Sequence, residues 1–259
     1  MTPESDQESR LRLDNVTVSF GGVRAVNGVS FQSRPGFLGI IGPNGSGKTT
    51  ILNVISGYVR PQSGQVLLDG ASITGVAAYK IARRSISRTF QTPRLVRELS
   101  VLENVLLGVD GRPGRWRSAL SGSRRLMTTT SAEHLLDHFG LGEWTHRSAS
   151  ELPLATMKIV EVVRALLAEP RIVMLDEPAA GLGAEDIEHL IPPLVAQMKL
   201  TGLSVLLIEH DVELITRLCD WILVLDFGSV IAEGPPATVL KEERVITAYL
   251  GAGIGTAVS

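Results

Sequence analysis

The sequence has a single cysteine, Cys219. That excludes an intramolecular disulfide and any zinc site built from several cysteines, and it suits a reducing cytoplasm. It also lacks an excess of positive charge, since 25 basic against 27 acidic residues leave a net charge of −2. A nucleic-acid-binding face normally makes its domain basic, so no nucleic-acid partner is expected. Long apolar runs are missing as well. A stretch such as Leu203-Ser204-Val205-Leu206-Leu207-Ile208 is the length of a strand and far short of a membrane span. The opening residues, Met1-Thr2-Pro3-Glu4-Ser5-Asp6-Gln7-Glu8, are polar and acidic, the reverse of a secretion signal. Work at a membrane would therefore run through a partner. What remains is an ordinary globular composition, 44% hydrophobic and 20% charged over 259 residues, enough for one or two domains.

Residues 1–10 and 252–259 read as tails. Leu11 to Ser33 reads as two strands around Gly21-Gly22, with alternation in Val16-Thr17-Val18-Ser19-Phe20. A buried strand, Phe37-Leu38-Gly39-Ile40-Ile41, leads into a glycine-rich loop and a helix. A turn at Arg60–Gly64 precedes the strand Gln65–Asp69. From Thr92 to Val163 strand signals give way to helical patterning, with a breaker-rich stretch from Gly108 to Gly114 expected as a loop. Strands and helices then alternate again. Strands are expected at Arg171–Leu175, Leu203–Ile208 and Trp221–Leu225, with helices at Ala184–Lys199, bent at Pro192-Pro193, and Val212–Leu218. Alternation of this kind predicts a mainly parallel α/β sheet. The expected organisation is an α/β P-loop NTPase core from 11–91 and 164–251, carrying an N-terminal antiparallel β subdomain, with 92–163 as an inserted helical subdomain.

The loop is the most specific feature. Gly42-Pro43-Asn44-Gly45-Ser46-Gly47-Lys48-Thr49-Thr50 satisfies G-x-x-x-x-G-K-[ST] between a strand and a helix. Glycines let the backbone fold around an anion, and amides at the helix N-terminus point toward it. Lys48 is expected on the β- and γ-phosphates and the Thr49 hydroxyl on Mg²⁺. Asp176-Glu177 ends a buried strand, where two adjacent acids are costly unless a cation or ligand meets them. Asp176 is expected to hold Mg²⁺, and Glu177 to polarise the water that attacks the γ-phosphate. His210, after the next apolar strand, is expected to contact the γ-phosphate. Gln91 is a candidate ligand for Mg²⁺ or the attacking water. Phe20 is either an adenine-stacking residue or a core aromatic. Arg112, Arg115, Arg117, Arg124 and Arg125 form a basic stretch, read as a solvated loop with contact to a membrane partner or lipid as the alternative.

Taken together, the phosphate loop, Gln91, Asp176-Glu177 and His210 stand in the order found in the ATP-binding subunits of ABC transporters, which the chain resembles from Leu11 to Gly251. Arg88-Thr89-Phe90-Gln91-Thr92-Pro93-Arg94-Leu95, Asp176-Glu177-Pro178-Ala179-Ala180-Gly181-Leu182 and the ending from Glu233-Gly234-Pro235 to Ala248-Tyr249-Leu250-Gly251 resemble the branched-chain amino-acid importers and the related urea importers. The resemblance implies an ATPase using ATP and Mg²⁺ and lying on the cytoplasmic face of a membrane as a peripheral subunit. It further implies transmembrane permease subunits, a second ATPase subunit, different or identical, and an external solute-binding protein as partners.

Two segments depart from the family pattern. The Leu-Ser-Gly-Gly-Gln signature aligns with Leu152-Pro153-Leu154-Ala155-Thr156. Pro153 removes a hydroxyl and an N–H donor. Ala155 adds a methyl where backbone approaches phosphate, while Thr156 keeps a hydroxyl. Gly183 stands where the family commonly has Asp or Asn. Both segments act across the interface between two ATPase subunits in the family, so this chain is expected to be a poor activator of its partner's site. Two rival readings are a soluble ABC ATPase of a protein-assembly system, such as iron–sulfur cluster assembly, and a nucleotide switch with little catalysis.

Overall fold

The computed structural model describes residues 10–33, 35–110 and 122–251. The strands are β1 (Leu11–Phe20), β2 (Val23–Ser33), β3 (Gly36–Ile41), β4 (Ser63–Leu68), β5 (Ala71–Ser72), β6 (Ile86–Arg88), β7 (Ile172–Asp176), β8 (Ser204–Ile208), β9 (Trp221–Asp226) and β10 (Ser229–Gly234). The helices are α1 (Lys48–Ile55), α2 (Ala78–Ala82), α3 (Val101–Asp110), α4 (Gly122–His138), α5 (Leu154–Leu167), α6 (Ala184–Thr201), α7 (Val212–Leu218), α8 (Pro236–Val239) and α9 (Glu243–Gly251). The chain divides into two compact units, Met1–Ile81 with Ser204–Ser259, and Ala82–Leu203.

The first unit holds an antiparallel sheet in the order β2-β1-β4-β5. Along β1 the buried residues are Leu11, Leu13, Val16 and Val18. That series changes from odd to even positions, which a regular strand of period two cannot do. The ladder to β2 is irregular between Leu13 and Val16, and Asn15 there has φ 50°. This bulge returns the apolar side chains to the same face. The unit's other strands run β10-β9-β3-β8, with β3 parallel to both β8 and β9 and β10 antiparallel to β9. Phe37–Ile41 and Ser204–Ile208 are buried at every position, as expected for parallel strands covered on both faces.

In the second unit β6 pairs in parallel with β7, Ile86 opposite Ile172 and Arg88 opposite Met174. Three residues of strand were too few to show as a periodic signal, and β6 was not expected. The unit contains α3, α4, α5 and α6, and within the described part of 92–163 the only β pairing is the bridge Ser100–Ser148.

Gly108, Val109 and Asp110 lie in α3 rather than in the expected loop, while residues 111–114 fall outside the described residues. The glycine has a packing cause. A Cβ at Gly108 would come within 2.3 Å of the Arg164 carbonyl oxygen, so the position lets α3 and α5 approach closely. Of the basic stretch, Arg112, Arg115 and Arg117 lie outside the described residues. Arg124 and Arg125 fall in α4.

Helix α6 runs through Pro192 and Pro193 and stops at Gly202, whose φ of 64° is a left-handed terminus.

Candidate active site

The first unit carries the phosphate loop, between the end of β3 at Ile41 and the start of α1 at Lys48. Gly42 has φ 146°, and a Cβ there would lie 2.1 Å from the Leu225 carbonyl oxygen. Gly47 has φ 104°, and a Cβ there would lie 2.4 Å from the Ala25 carbonyl oxygen. No side chain fits at either position, so both ends of the loop are pinned to neighbouring backbone. Lys48, only 6% exposed, donates its ammonium to the carbonyls of Gly42 at 2.7 Å and Pro43 at 2.9 Å. The buried Ser46 hydroxyl has no hydrogen-bond partner, which is unusual for a buried polar atom and fits a site for an acceptor-rich ligand.

Helix α1 has no acidic residue in its first turn, and Gly47 supplies no side-chain cap. The helix thus sets no acid of its own against its leading amides and positive dipole end. Asn44, Gly45 and Thr49 are exposed, and Pro43 and Thr50 are half-buried. These features fit a polyphosphate.

His210 sits two residues past the end of β8, the strand next to β3, with Ile40 paired to Ile208. The phosphate loop and His210 thus leave the same ends of neighbouring parallel strands. His210 is exposed, and Asp211 beside it caps α7 by accepting from the amides of Glu213 and Leu214 at 2.9 and 3.1 Å. Phe20 ends β1 and is 53% exposed, which removes the core-aromatic alternative.

Two groups in this unit were not anticipated. Glu209 is a buried carboxylate that accepts from the His210 amide at 3.3 Å. The Tyr249 hydroxyl of α9 is pushed up to about 12 by burial, an effect opposed by a hydrogen bond from the Gly42 backbone. Tyr249 belongs to the ending that carried the importer resemblance, the one signal that pointed to it.

The second unit carries the acids. Asp176, the last residue of β7, is buried and bonded by Arg88 of β6, Nη2 to Oδ2 at 3.0 Å. Thr89 locks the two strand ends together. Its amide donates to the Met174 carbonyl at 3.0 Å and its hydroxyl accepts from the Asp176 amide at 3.4 Å.

Glu177 has φ 52°, a left-handed backbone that a non-glycine residue adopts at a cost of roughly 1–3 kcal/mol. Its carboxylate Oε2 accepts from Gln91 Nε2 at 2.9 Å. The buried Lys158 ammonium holds the backbone of this turn, donating to the carbonyls of Glu177 at 3.0 Å and Ala180 at 2.6 Å. Gln91, Asp176 and Glu177, separated by more than eighty residues, are thus gathered at the ends of two paired strands.

Among the described residues no three His, Cys, Asp or Glu side chains form a metal cluster. The oxygens nominated for Mg²⁺, on Thr49, Gln91 and Asp176, are hard donors of the type it takes when nucleotide phosphates supply the rest.

The altered signature is also in this unit. A short 3-10 turn, Ala149–Glu151, leads to Pro153, which caps α5 without a side-chain hydrogen bond. Pro153 and Leu154 are exposed, and Ala155 and Thr156 half-buried. Helix α5 begins at Leu154, and the amides of Leu154, Ala155 and Thr156 form its first turn.

The family profile described as ABC transporter matches residues 26–180, and one described as Branched-chain amino acid ATP-binding cassette transporter matches residues 229–254. The high-affinity branched-chain amino acid transport ATP-binding protein BraF of Pseudomonas aeruginosa is 37% identical over 249 residues, covering 93% of this chain and 97% of that protein. A crystal structure of a nucleotide-free ATP-binding cassette from an ABC transporter superposes with a TM-score of 0.81 at 32% identity, covering 93% of this chain and 98% of that one. A dimeric post-hydrolysis cassette bound to ADP and Pi superposes with a TM-score of 0.74 at 25% identity, covering 87% of this chain and 98% of that one. Glycine cradle, buried lysine, strand-end acids and these likenesses lead to one assignment: the chain has the P-loop NTPase fold and belongs to the ATP-binding, ATP-hydrolysing subunits of ABC transporters.

Proposed function

We propose that this ATPase drives an importer for branched-chain amino acids or a similar small amino-acid-like solute. The importer subtype is supported by the match of residues 229–254 and by the relative's described role. The observation that carries the chemistry is the strained Glu177, held by Gln91 through its carboxylate and by Lys158 through its carbonyl.

In this reading each group has a role in ATP hydrolysis. The phosphate-loop amides and Lys48 bind and orient the polyphosphate, and Lys48 and His210 balance charge on the transferring phosphoryl group. Thr49, Asp176 and Gln91 would hold Mg²⁺, which when bound neutralises phosphate charge. Glu177 accepts the proton of the attacking water, and Gln91 fixes the direction in which its carboxylate points. Phe20 stacks on the adenine.

Among the described residues no helix is long and apolar enough to cross a membrane. In this reading the chain acts peripherally, bound to permease subunits on the cytoplasmic face, which the described role of its transport ATP-binding relative supports. The block 92–163 carries the contact with them. A second ATPase subunit completes the pair, and the weak signature of this chain favours a different one. Substrate choice belongs to the membrane subunits and an external binding protein.

The test is purification of the tagged protein from its own cell membranes, followed by reconstitution in vesicles. ATP-dependent uptake of labelled leucine, abolished by Lys48→Ala, is expected. Recovery with a soluble assembly complex and no membrane subunit would overturn the importer reading.

A further inference from the structure

Helix α5 carries charges that the active-site roles above do not use. Glu161 sits in the buried run Ile159-Val160-Glu161-Val162-Val163 and is itself only 2% exposed. A carboxylate buried that deeply costs several kcal/mol unless its acceptor positions are filled. Its bonds fill them. Glu161 Oε1 accepts from the Arg94 amide at 2.8 Å, and Oε2 accepts from the Phe90 amide at 3.4 Å. Arg164, one turn along the same helix, donates Nη2 to Glu161 Oε1 at 2.8 Å and Nη1 to the Arg94 carbonyl at 2.8 Å. The Arg94 guanidinium lies 4.5 Å from the centre of the Phe90 ring. Glu161 and Arg164 thus grip the loop on both sides of Gln91, at residues 90 and 94.

Lys158, three residues before Glu161 and on the same helical face, holds the Glu177 and Ala180 carbonyls. One helix face therefore fixes two loops that are remote in sequence. Where those loops meet, Gln91 donates to Glu177 at 2.9 Å.

We infer that Glu161 is a positioning residue for ATP hydrolysis: with Arg164 it clamps the Gln91 loop to α5 so that Gln91 meets a Glu177 held by Lys158 on the same helix. The inference rests on the roles given above to Gln91 and Glu177. The clamp acts on kcat, because the phosphate loop, which binds nucleotide, is not among its partners. It also ties the loop's position to the helix that begins at the signature segment. A displacement of α5 at Leu154–Thr156 would reach the loop through Glu161.

The test is Glu161→Gln in the full chain, which keeps the shape but turns one acceptor into a donor facing an N–H. Without nucleotide, amide exchange across residues 88–95 should quicken about tenfold, while that of 42–50 stays unchanged. In ATP turnover kcat should fall about tenfold with KM for ATP unchanged. Glu161→Asp, which keeps the charge, should recover part of both. Unchanged exchange over 88–95 would overturn the clamp whatever the chemistry does. Quickened exchange with an unchanged kcat, or with kcat and KM moving together, would overturn its positioning role. The separate Glu177→Gln variant reports on the underlying catalytic reading. If Glu161→Gln does not fold, Arg164→Gln, at a half-exposed position, carries the same expectations and the same refutations.

Discussion

Arg88 Nη2 lies 3.0 Å from Asp176 Oδ2, and the two side chains are only 7% and 6% exposed. An ion pair this dry gains little over a well-packed apolar pair, but removing one partner leaves an uncompensated charge. Arg88→Met should therefore destabilise the protein by about 3–5 kcal/mol. The measurement is the urea midpoint at neutral pH with the slope checked for constancy. A loss well under 1 kcal/mol would mean that Asp176 is neutralised by something other than Arg88.

Glu177→Gln should separate binding from turnover. The replacement amide oxygen can still accept from Gln91, so the loop geometry survives, but the group no longer takes a proton from water. Nucleotide affinity should stay within about twofold of the parent, and hydrolysis should fall by roughly 10²–10⁴-fold. Fluorescent-nucleotide titration and phosphate release measure the two quantities. Brisk phosphate release from the variant would remove Glu177 from the base role and shift attention to His210 and the buried Glu209.

How much of this was readable beforehand depended on whether the signal was contiguous. The phosphate loop could be read because its nine residues satisfy a spacing that packing constraints at Gly42 and Gly47 demand. Asp176-Glu177 could be read because charge directly after four apolar strand residues is anomalous in itself. Glu161 offered the same kind of anomaly, a charge inside Ile159–Val163. Its partners, however, are backbone amides at 90 and 94, which no side-chain pattern marks. Gly108 was misread because a glycine that admits a neighbouring helix and a glycine that breaks one look alike in one dimension. The shift of phase in β1 was not read, because it precedes the regular alternation of Val16–Phe20 and shows only in the pairing with β2.

The signature segment offers a gain-of-function test. In α5 the amides of Leu154, Ala155 and Thr156 form the first turn, and in the proposed reading the Ala155 methyl stands where backbone approaches the phosphate held by the partner subunit. Ala155→Gly should raise turnover of the assembled transporter by about threefold to tenfold, the effect of relieving roughly 1 kcal/mol of steric cost in the transition state. Turnover of the isolated chain should not change. No gain in the assembled complex would show that the altered signature does not limit the partner site.

Alkaline stability should be governed by two acids, the buried thiol of Cys219 and the half-buried phenol of Tyr249. Cys219 is pushed from 9.0 up to about 12, first by burial and then by the negative Asp220 beside it. Tyr249 is likewise pushed from 10.0 up to about 12, chiefly by burial. In both cases the folded protein keeps a proton that the unfolded chain releases, so the folded state binds more protons and stability falls as pH rises. Their contribution is intact below about pH 9 and is lost progressively between about pH 9 and 12. Urea midpoints taken across that range should decline, and Cys219→Ala should make the decline shallower even if it lowers the midpoint at pH 7. The same burial predicts that the thiol resists alkylation at pH 8 until the protein unfolds, because the thiolate is the reactive form. Rapid labelling of native protein, or a pH profile unchanged by Cys219→Ala, would show that the thiol ionises in the folded state much as it does in the open chain.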